Sequence, residues 1–444
     1  MKLLVRFIIL SVIAMPLPVH AGVIDLTTAY QKAVDYDARL RSAQADNLIN
    51  KEEIGKARSQ FLPSSRLNAA RGRSATQHGY LGRYYPADFY NTINYGVSFR
   101  QPLFNLSTLA SYRQAKHEAV KSEFDLQREE TNLIVRITEA YCNALYAEDN
   151  LEFSKALITA MQAQLQQAKG RFEKGFGTIT EIKEAQAGYD MALADAVEMA
   201  NGVEFSRREL ENIAGVYPDQ LCRVVPEKLQ LVRLQPGKVE AWIEFAHASN
   251  PAILAARQEI IIAKREIDKQ KFSRYPTIDL VAGRNYSESE NNYSIGSTYD
   301  TYSISLQMSV PLYSGGYISA SIRQAHAKWL KAGEQLHWLE RGIDSDVRKY
   351  YNGVLSSIAQ VKAYEQAVNS HEIALKGTIK GYEAGLRSNV DVLDAQQKLF
   401  ESSRNLAKSR YQYIINRFML KQASGTLTPA DIDEVNGWLA RAKP

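Results

Sequence analysis

GYEAGLRSNVDVLDAQ, residues 381–396, is the stretch on which the fold turns. It lies between two long helical patterns and recurs, in weaker form, as RFEKGFGTITEIKEAQ at residues 171–186. Each copy sets an aromatic before a glycine turn, then a β-branched residue, an acid and a helix-length run. The second copy places Asp391 and Asp394 three residues apart, on one face of the helix that starts there. Paired acids at the tip of a helical hairpin are the sharpest chemical feature of the chain. What they do depends on where the tip lies.

Outward from the first tip, the pattern is helical back to about Asn105, some 65 residues or about 100 Å at 1.5 Å per residue. Leu133, Ile137, Ala140, Ala144, Ala147, Leu151, Ser154, Ile158, Met161, Leu165, Ala168 and Phe172 step by fours and threes, a coiled-coil seam of mixed small and large side chains. Beyond the Gly175 turn the stepping continues from Ile182 to Leu210 and stops near Gly215. Before the long helix come a helix over residues 25–58, closed by Phe61-Leu62-Pro63, a strand over 66–76, a Tyr- and Gly-rich loop, and a cleaner strand over 91–101 that Pro102 ends.

The second half repeats this order. A helix over 240–272 is closed by Arg274-Tyr275-Pro276. Strands follow around Ile278–Tyr286 and Tyr302–Val310, separated by a polar loop. A long helix over 319–379 then leads into the 381–396 stretch and a last helix up to Gly425. Corresponding landmarks are offset by 213, 209 and 210 residues, which marks an internal duplication. The expected organisation is a signal over 1–21, a first repeat over 22–215, a linker over 216–239, a second repeat over 240–425 and a short tail over 426–444.

Apolar residues make up 45% and charged residues 23% of the 444, which excludes a disordered chain and a helical membrane protein. Lys2 and Arg6, the apolar run 7–15 and Val19-His20-Ala21 read as a secretory signal cleaved before Gly22. A short membrane anchor is the competing reading, but the run is too short to span. No later apolar run has the length of a transmembrane helix, and no cysteine follows the cleavage site to carry a lipid anchor. Cys142 and Cys222 lack metal or redox spacing and read as free thiols or as one disulfide of an exported protein. The formal charge of +5 includes Lys2 and Arg6, and the remainder is too weak a bias for nucleic acid. The seven histidines are scattered. With no nucleophile motif or metal spacing, neither enzymatic activity nor a cofactor is expected.

Alternating strands of about 10 residues suit either a sheet with one apolar face or a transmembrane strand. Four such strands cannot close a barrel alone, and open edges cannot face lipid, so membrane strands require several chains to share one barrel. Tyr84, Tyr85, Phe89, Tyr90, Tyr286, Tyr293 and Tyr299 around the strand ends fit an interfacial aromatic girdle. A soluble hairpin of an α+β protein is the competing reading. The first strand is the weakest, because Arg71 and Arg73 fall in phase with Leu67 and Ala69. The helices are too long for one globular domain and read as extended coiled coils, with a rod-like adhesin or scaffold as the competing reading.

The sequence resembles the TolC-like outer membrane efflux and secretion proteins, the type I secretion outer membrane channels, over essentially the whole mature chain. The resemblance rests on the FLP and RYP boundaries, the QPLF and VPLYSGG boundaries, the doubled helix–strand–strand–helix order and the long GYxxGxRxxVDVLDA run. It implies a fold that is mainly α with transmembrane β: an internally duplicated protomer of a trimeric 12-stranded β-barrel continuing into a long coiled-coil α-helical barrel. It also implies passive conduction of proteins or small molecules and no reaction. The implied partners are two further copies of the chain, a periplasmic adaptor (membrane fusion) protein, an inner-membrane ABC or proton-driven transporter, and outer membrane lipid.

Carried over residue by residue, Asp391 and Asp394 match the family's acidic constriction at the periplasmic tip. Three copies would gather six carboxylates that share protons or bind cations. Cation block, not a resident metal, is implied there. Tyr382 and Arg387 match residues that tie the inner hairpin to the outer one in the closed state, with Thr180 and Glu181 as the expected partners. The family position of Glu181 is often Asp, so the extra methylene alters the bonding. Gly175-Phe176 and Gly385-Leu386 match the turns that meet the adaptor. Ser388 and Asp391 also make a capping-box-like helix start, and both roles can hold at once. Arg387 taken alone reads as a solvated turn residue. Lys183 and Glu184 stand where the second copy has Leu393 and Asp394, so the double-aspartate pair, and with it the gate, is expected in the second hairpin. The missing lipid-anchor cysteine leans toward the secretion-type or general-purpose branch. The alternative function is a non-pore coiled-coil periplasmic or surface scaffold, against which the alternating strands argue.

Overall fold

The computed structural model describes residues 23–292 and 295–440. The expected signal segment and Tyr293 lie outside the described residues. Each half contributes a pair of short helices, two strands and a hairpin of long helices. The first half holds α1 (Leu26–Tyr36), α2 (Ala38–Ser59), β1 (Ser64–Thr76), β2 (Asp88–Phe104), α3 (Leu106–Glu173) and α4 (Ile179–Ala214). The second holds α5 (Val239–Ser249), α6 (Pro251–Phe272), β3 (Thr277–Asn292), β4 (Ile295–Ser309), α7 (Tyr317–Glu383) and α8 (Asn389–Ala423), followed by α9 (Pro429–Asn436). The 68 residues of α3 and 67 of α7 each span about 100 Å.

Two single helices expected over 25–58 and 240–272 are each broken at an elbow. Asp37 leaves the helical region and caps α2, its carboxylate accepting from Leu40 N–H at 2.8 Å. Asn250 does the same for α6, accepting from Ala252 N–H at 2.9 Å. Pro251 accounts for the second break: the residue before a proline avoids the α region, and proline suits the first helical position. At the first break, a side chain that bonds nearby backbone N–H groups outcompetes helix continuation.

Each elbow receives the end of the long return helix of its own half. Gly215 and Gly425 close α4 and α8 in the left-handed conformation, φ 73° and 71°. A Cβ on Gly215 would meet the Tyr36 ring at 2.5 Å, and one on Gly425 would meet the Ser249 carbonyl carbon at 2.5 Å. At the hairpin tip, Gly385 also has positive φ, 76°, but nothing lies within 4 Å of its notional Cβ. Gly385→Ala is therefore expected to cost only the left-handed penalty of about 1–2 kcal/mol. Gly425→Ala adds an overpacking cost of about 1–3 kcal/mol. Thermal unfolding of the two variants, with Gly425→Ala no less stable than Gly385→Ala, would contradict this packing.

The four strands form one antiparallel sheet in the order β1-β2-β3-β4. The ladders run longer than the apolar alternation suggests. β2 continues through Pro102 to Phe104, with a register shift between them against β3. Pro102 lies past the last pairing with β1, Ser64 with Arg100, so its missing N–H costs that ladder nothing. Most of the polar segment expected as a loop in the second half is paired strand, up to Ser289 with Ser297, because backbone hydrogen bonding does not need apolar side chains. A small hairpin of Gly79–Tyr80 with Arg83–Tyr84 caps the first strand pair.

Buried apolar side chains concentrate where the middle of α3 meets α1, α5, α7 and the end of α8. Leu26, Ile137, Tyr141, Val347, Tyr413 and Phe418 are all fully enclosed. The segment between the halves takes part directly. Val23–Ile24 pairs in parallel with Gln220–Leu221, and Arg223–Val224 pairs antiparallel with Leu439–Ala440. Tyr141 Oη lies 3.0 and 2.9 Å from the carbonyl oxygens of Ile24 and Cys222, locking residues 23–24 to that segment. Cys142 and Cys222 are both buried and share no disulfide. Along α3 the expected seam is largely enclosed, including Ser154 and Ala168, but Phe172 at its end is 45% exposed.

Candidate functional site

Both tips close with the same backbone device. Phe176 N–H donates to Arg171 O at 3.0 Å and Gly175 N–H to Phe172 O at 2.9 Å; Leu386 N–H donates to Gly381 O at 2.8 Å and Gly385 N–H to Tyr382 O at 3.0 Å. This is the glycine-terminated helix end in which a left-handed residue turns the chain back. The turns present Phe176 and Leu386 to solvent, 76% and 82% exposed. Thr178 and Ser388 then cap the return helices, accepting from the N–H groups of Glu181 and Asp391 at 3.2 Å each.

From here the copies diverge. Asp391 completes a reciprocal capping box, its Oδ2 accepting from Ser388 N–H and Ser388 Oγ, both at 2.8 Å. These two bonds, with help from the Arg387 charge, hold the Asp391 carboxyl below the usual carboxylate range. The plainer reading of Asp391 is thus realised in the chain. Asp394, one turn on, is exposed beside it, so both acids lie on one side of the helix start. Glu181, the counterpart of Asp391, makes no such box. Its Oε2 is buried without a hydrogen-bond partner.

Tyr382 is 2% exposed, whereas its counterpart Phe172 is largely open. Its contacts differ from the expected pair. Arg171 stacks over the Tyr382 ring at 4.7 Å and donates from Nη1 to the Tyr382 carbonyl at 3.2 Å. Tyr382 Oη is buried and has no hydrogen-bond partner. Burial pushes this phenol up; Arg171 opposes the rise and Glu181 adds to it. Arg387 and Thr180 are exposed, and Arg387 forms no ion pair among the described residues. Its Cγ lies over Gly381, where a Cβ would come within 2.8 Å.

Three residues that join the two hairpins escaped the sequence reading. Asn389, 1% exposed, accepts a short hydrogen bond from Gln164 Nε2 on α3 and donates to Glu181 O at 3.4 Å on α4. Arg171 is the third. Their duplication partners are Ile179, Ala374 and Gly381. The signal was present: polar or charged groups at positions where the other copy has an apolar residue or glycine.

The model of the family described as outer membrane efflux protein matches residues 29–216 and 242–426. The outer membrane protein TolC of Vibrio cholerae is 33% identical over 422 residues, covering 94% of both chains. The alkaline protease secretion protein AprF of Pseudomonas aeruginosa is 32% identical over 422 residues, 94% of this chain and 87% of its own. Among solved structures, the Campylobacter jejuni CmeC outer membrane channel superposes with a TM-score of 0.79 at 16% identity, covering 94% of this chain and 90% of that one. At that identity the superposition speaks for the fold.

Proposed function

The chain belongs to the outer membrane efflux protein family, and from that premise we propose that three copies form a closed-tip exit duct whose gate is the pair of hairpin tips. It is an outer membrane channel protein reaching into the periplasm. The observation that carries the proposal is the open four-stranded sheet standing directly on helices about 100 Å long. No described helix is long and apolar enough to cross a membrane. The sheet leaves β1 and β4 as free edges, and lipid tolerates strands only in a closed ring. Three copies joined edge to edge remove every free edge. Apolar side chains along the helices, such as Trp338 at 72% and Met191 at 68% exposure, gain partners in the same assembly.

Within this duct Asp391 and Asp394 of three copies make the acidic constriction. The exposed Gly175-Phe176 and Gly385-Leu386 turns meet an adaptor joined to an inner-membrane transporter. Tyr382 Oη and Glu181 Oε2 are an unsatisfied donor and acceptor at one junction, which supports a tie between the hairpins. Arg387 and Thr180 supply the second tie in the assembled tip. The full-length likeness to a protease secretion protein favours the secretion-type or general-purpose branch.

Planar bilayers test the duct. SDS-resistant trimers with a small, steady conductance are expected, and a soluble, non-conducting protein would sink the reading in favour of a scaffold. Tyr382→Phe with Arg387→Ser is expected to raise resting conductance. Losing two ties of the assembled tip, at about 1 kcal/mol each, shifts the open population by roughly 30-fold. Conductance equal to wild type would remove these residues as ties.

A further inference from the structure

The outward face of the sheet carries a feature that conduction does not use. Directly paired residues share a face, and alternate residues point to opposite faces. Leu67 pairs with Val97, Ala69 with Tyr95, and Tyr95 with Tyr286, so these side chains lie on one face. The opposite face carries Asn68, Asn94, Gly96, Ser98 and Asn285. The polar face suits a lumen and the apolar face suits lipid. Tyr95 and Tyr286 stack at 4.6 Å and mark the aromatic level of the apolar face. The next two positions on β1 on that face, toward the end away from the helices, are Arg71 and Arg73, paired with Ile93 and Asn91.

Neither arginine forms an ion pair among the described residues, and both are exposed. The acids on the same face are engaged elsewhere. Glu290 accepts from Asn91 N–H at 2.9 Å and Asn91 Nδ2 at 3.0 Å, although it feels the charge of both arginines. Glu288 accepts from Tyr286 Oη at 2.9 Å. Asp300, on the strand that a neighbouring copy would bring to this edge, is held by Arg284 through two bonds of 2.9 and 2.8 Å. Arg73 rests over the Phe89 ring at 5.6 Å, which orients the guanidinium without neutralising it.

We propose that Arg71 and Arg73 form a binding site for a phosphate-bearing lipid headgroup of the outer leaflet. This rests on the reading of the sheet as a barrel wall. Two guanidinium groups about 7 Å apart along one strand face stand just beyond the aromatic level, where headgroups lie. Guanidinium matches phosphate with paired, charge-assisted hydrogen bonds. The headgroup, rather than free phosphate, is the ligand because the face that holds both arginines is the one against lipid.

The test uses the intact detergent-solubilised protein and native mass spectrometry with bisphosphorylated lipid A as the probe. Wild type is expected to retain it at least fivefold better than Arg71→Gln/Arg73→Gln, and Arg71→Lys/Arg73→Lys is expected to recover part of the difference. Dephosphorylated lipid A should be retained equally by both, and inorganic phosphate at the same concentration should not displace the bound lipid. Equal retention of the phosphorylated lipid by wild type and the glutamine variant would overturn the site, as would displacement by inorganic phosphate. SDS-resistant trimers in the membrane fraction are scored in parallel. Equal retention with trimers intact condemns the lipid site alone, whereas loss of trimers in the wild type condemns the barrel reading on which it stands.

Discussion

Replacing Asp391 and Asp394 together by alanine is expected to weaken block of the pore by a divalent or trivalent cation by roughly tenfold or more, the scale on which a ring of one charge sign concentrates counter-ions. The two residues are not equivalent in this effect. Asp391 spends its carboxylate on the capping box with Ser388, while Asp394 is exposed. Asp394→Asn should therefore remove a large share of the block and leave the helix start intact. Asp391→Ala should remove block and also fray the first turn of α8, seen as faster amide exchange over residues 389–392. The Ser388 bonds hold the Asp391 carboxyl below its ordinary range. A lowered folded pKa means that the cap's contribution is present above the unfolded value, near 4, and is lost as pH falls through the lower folded value. Block measured in planar bilayers at neutral pH, unchanged in the double variant, would remove the acidic ring from the gate.

Arg136→Ala is expected to destabilise the chain by about 3–5 kcal/mol, the cost of leaving a buried charge without its partner. Arg136 holds Asp37 through two bonds, Nη1 to Oδ2 at 2.9 Å and Nη2 to Oδ1 at 3.1 Å, and reaches Glu129 at 2.9 Å. The Asp37 side chain is only 6% exposed. Burial alone would push its carboxyl up, but the bonds from Arg136 and Leu40 outweigh burial and hold it below the usual range. The sign follows: the wild type gains stability from this group above the unfolded carboxylate value, near 4, and loses it as pH falls through the lower folded value. The Arg136→Ala variant should show a flatter stability profile across that window. Asp37→Ala with Arg136→Ala should recover part of the loss, since no lone buried charge remains. A double variant no more stable than Arg136→Ala, in denaturant unfolding of the solubilised protein, would contradict the pairing.

The repeats, the long helices, their seams and the hairpin turns were legible because each follows from a local rule. A 3.6-residue period sets the buried stripe, and glycine at a left-handed position sets each tip. The elbow at Asn250 is marked by Asn-Pro, but the apolar stepping runs through it and masks the break. The elbow at Asp37 is less marked: the local cap onto Leu40 N–H carries no proline to signal it, and the aspartate is also held by Arg136, 99 residues away. Strand lengths were underestimated where the ladder continues through polar residues, since hydrogen bonding along a strand leaves no periodic mark when neither face is apolar.

By itself, the sequence determined the duplicated architecture, the family, and the position of the paired aspartates at one tip. Tertiary structure decided which contacts the differing residues make across the two tips. Arg171 crosses to the Tyr382 ring, and Asn389 bridges Gln164 and Glu181. The physical reason is that duplication repeats local instructions but not the contacts between the copies. Those contacts depend on which helix of one hairpin lies against the other, and no spacing within either copy specifies that.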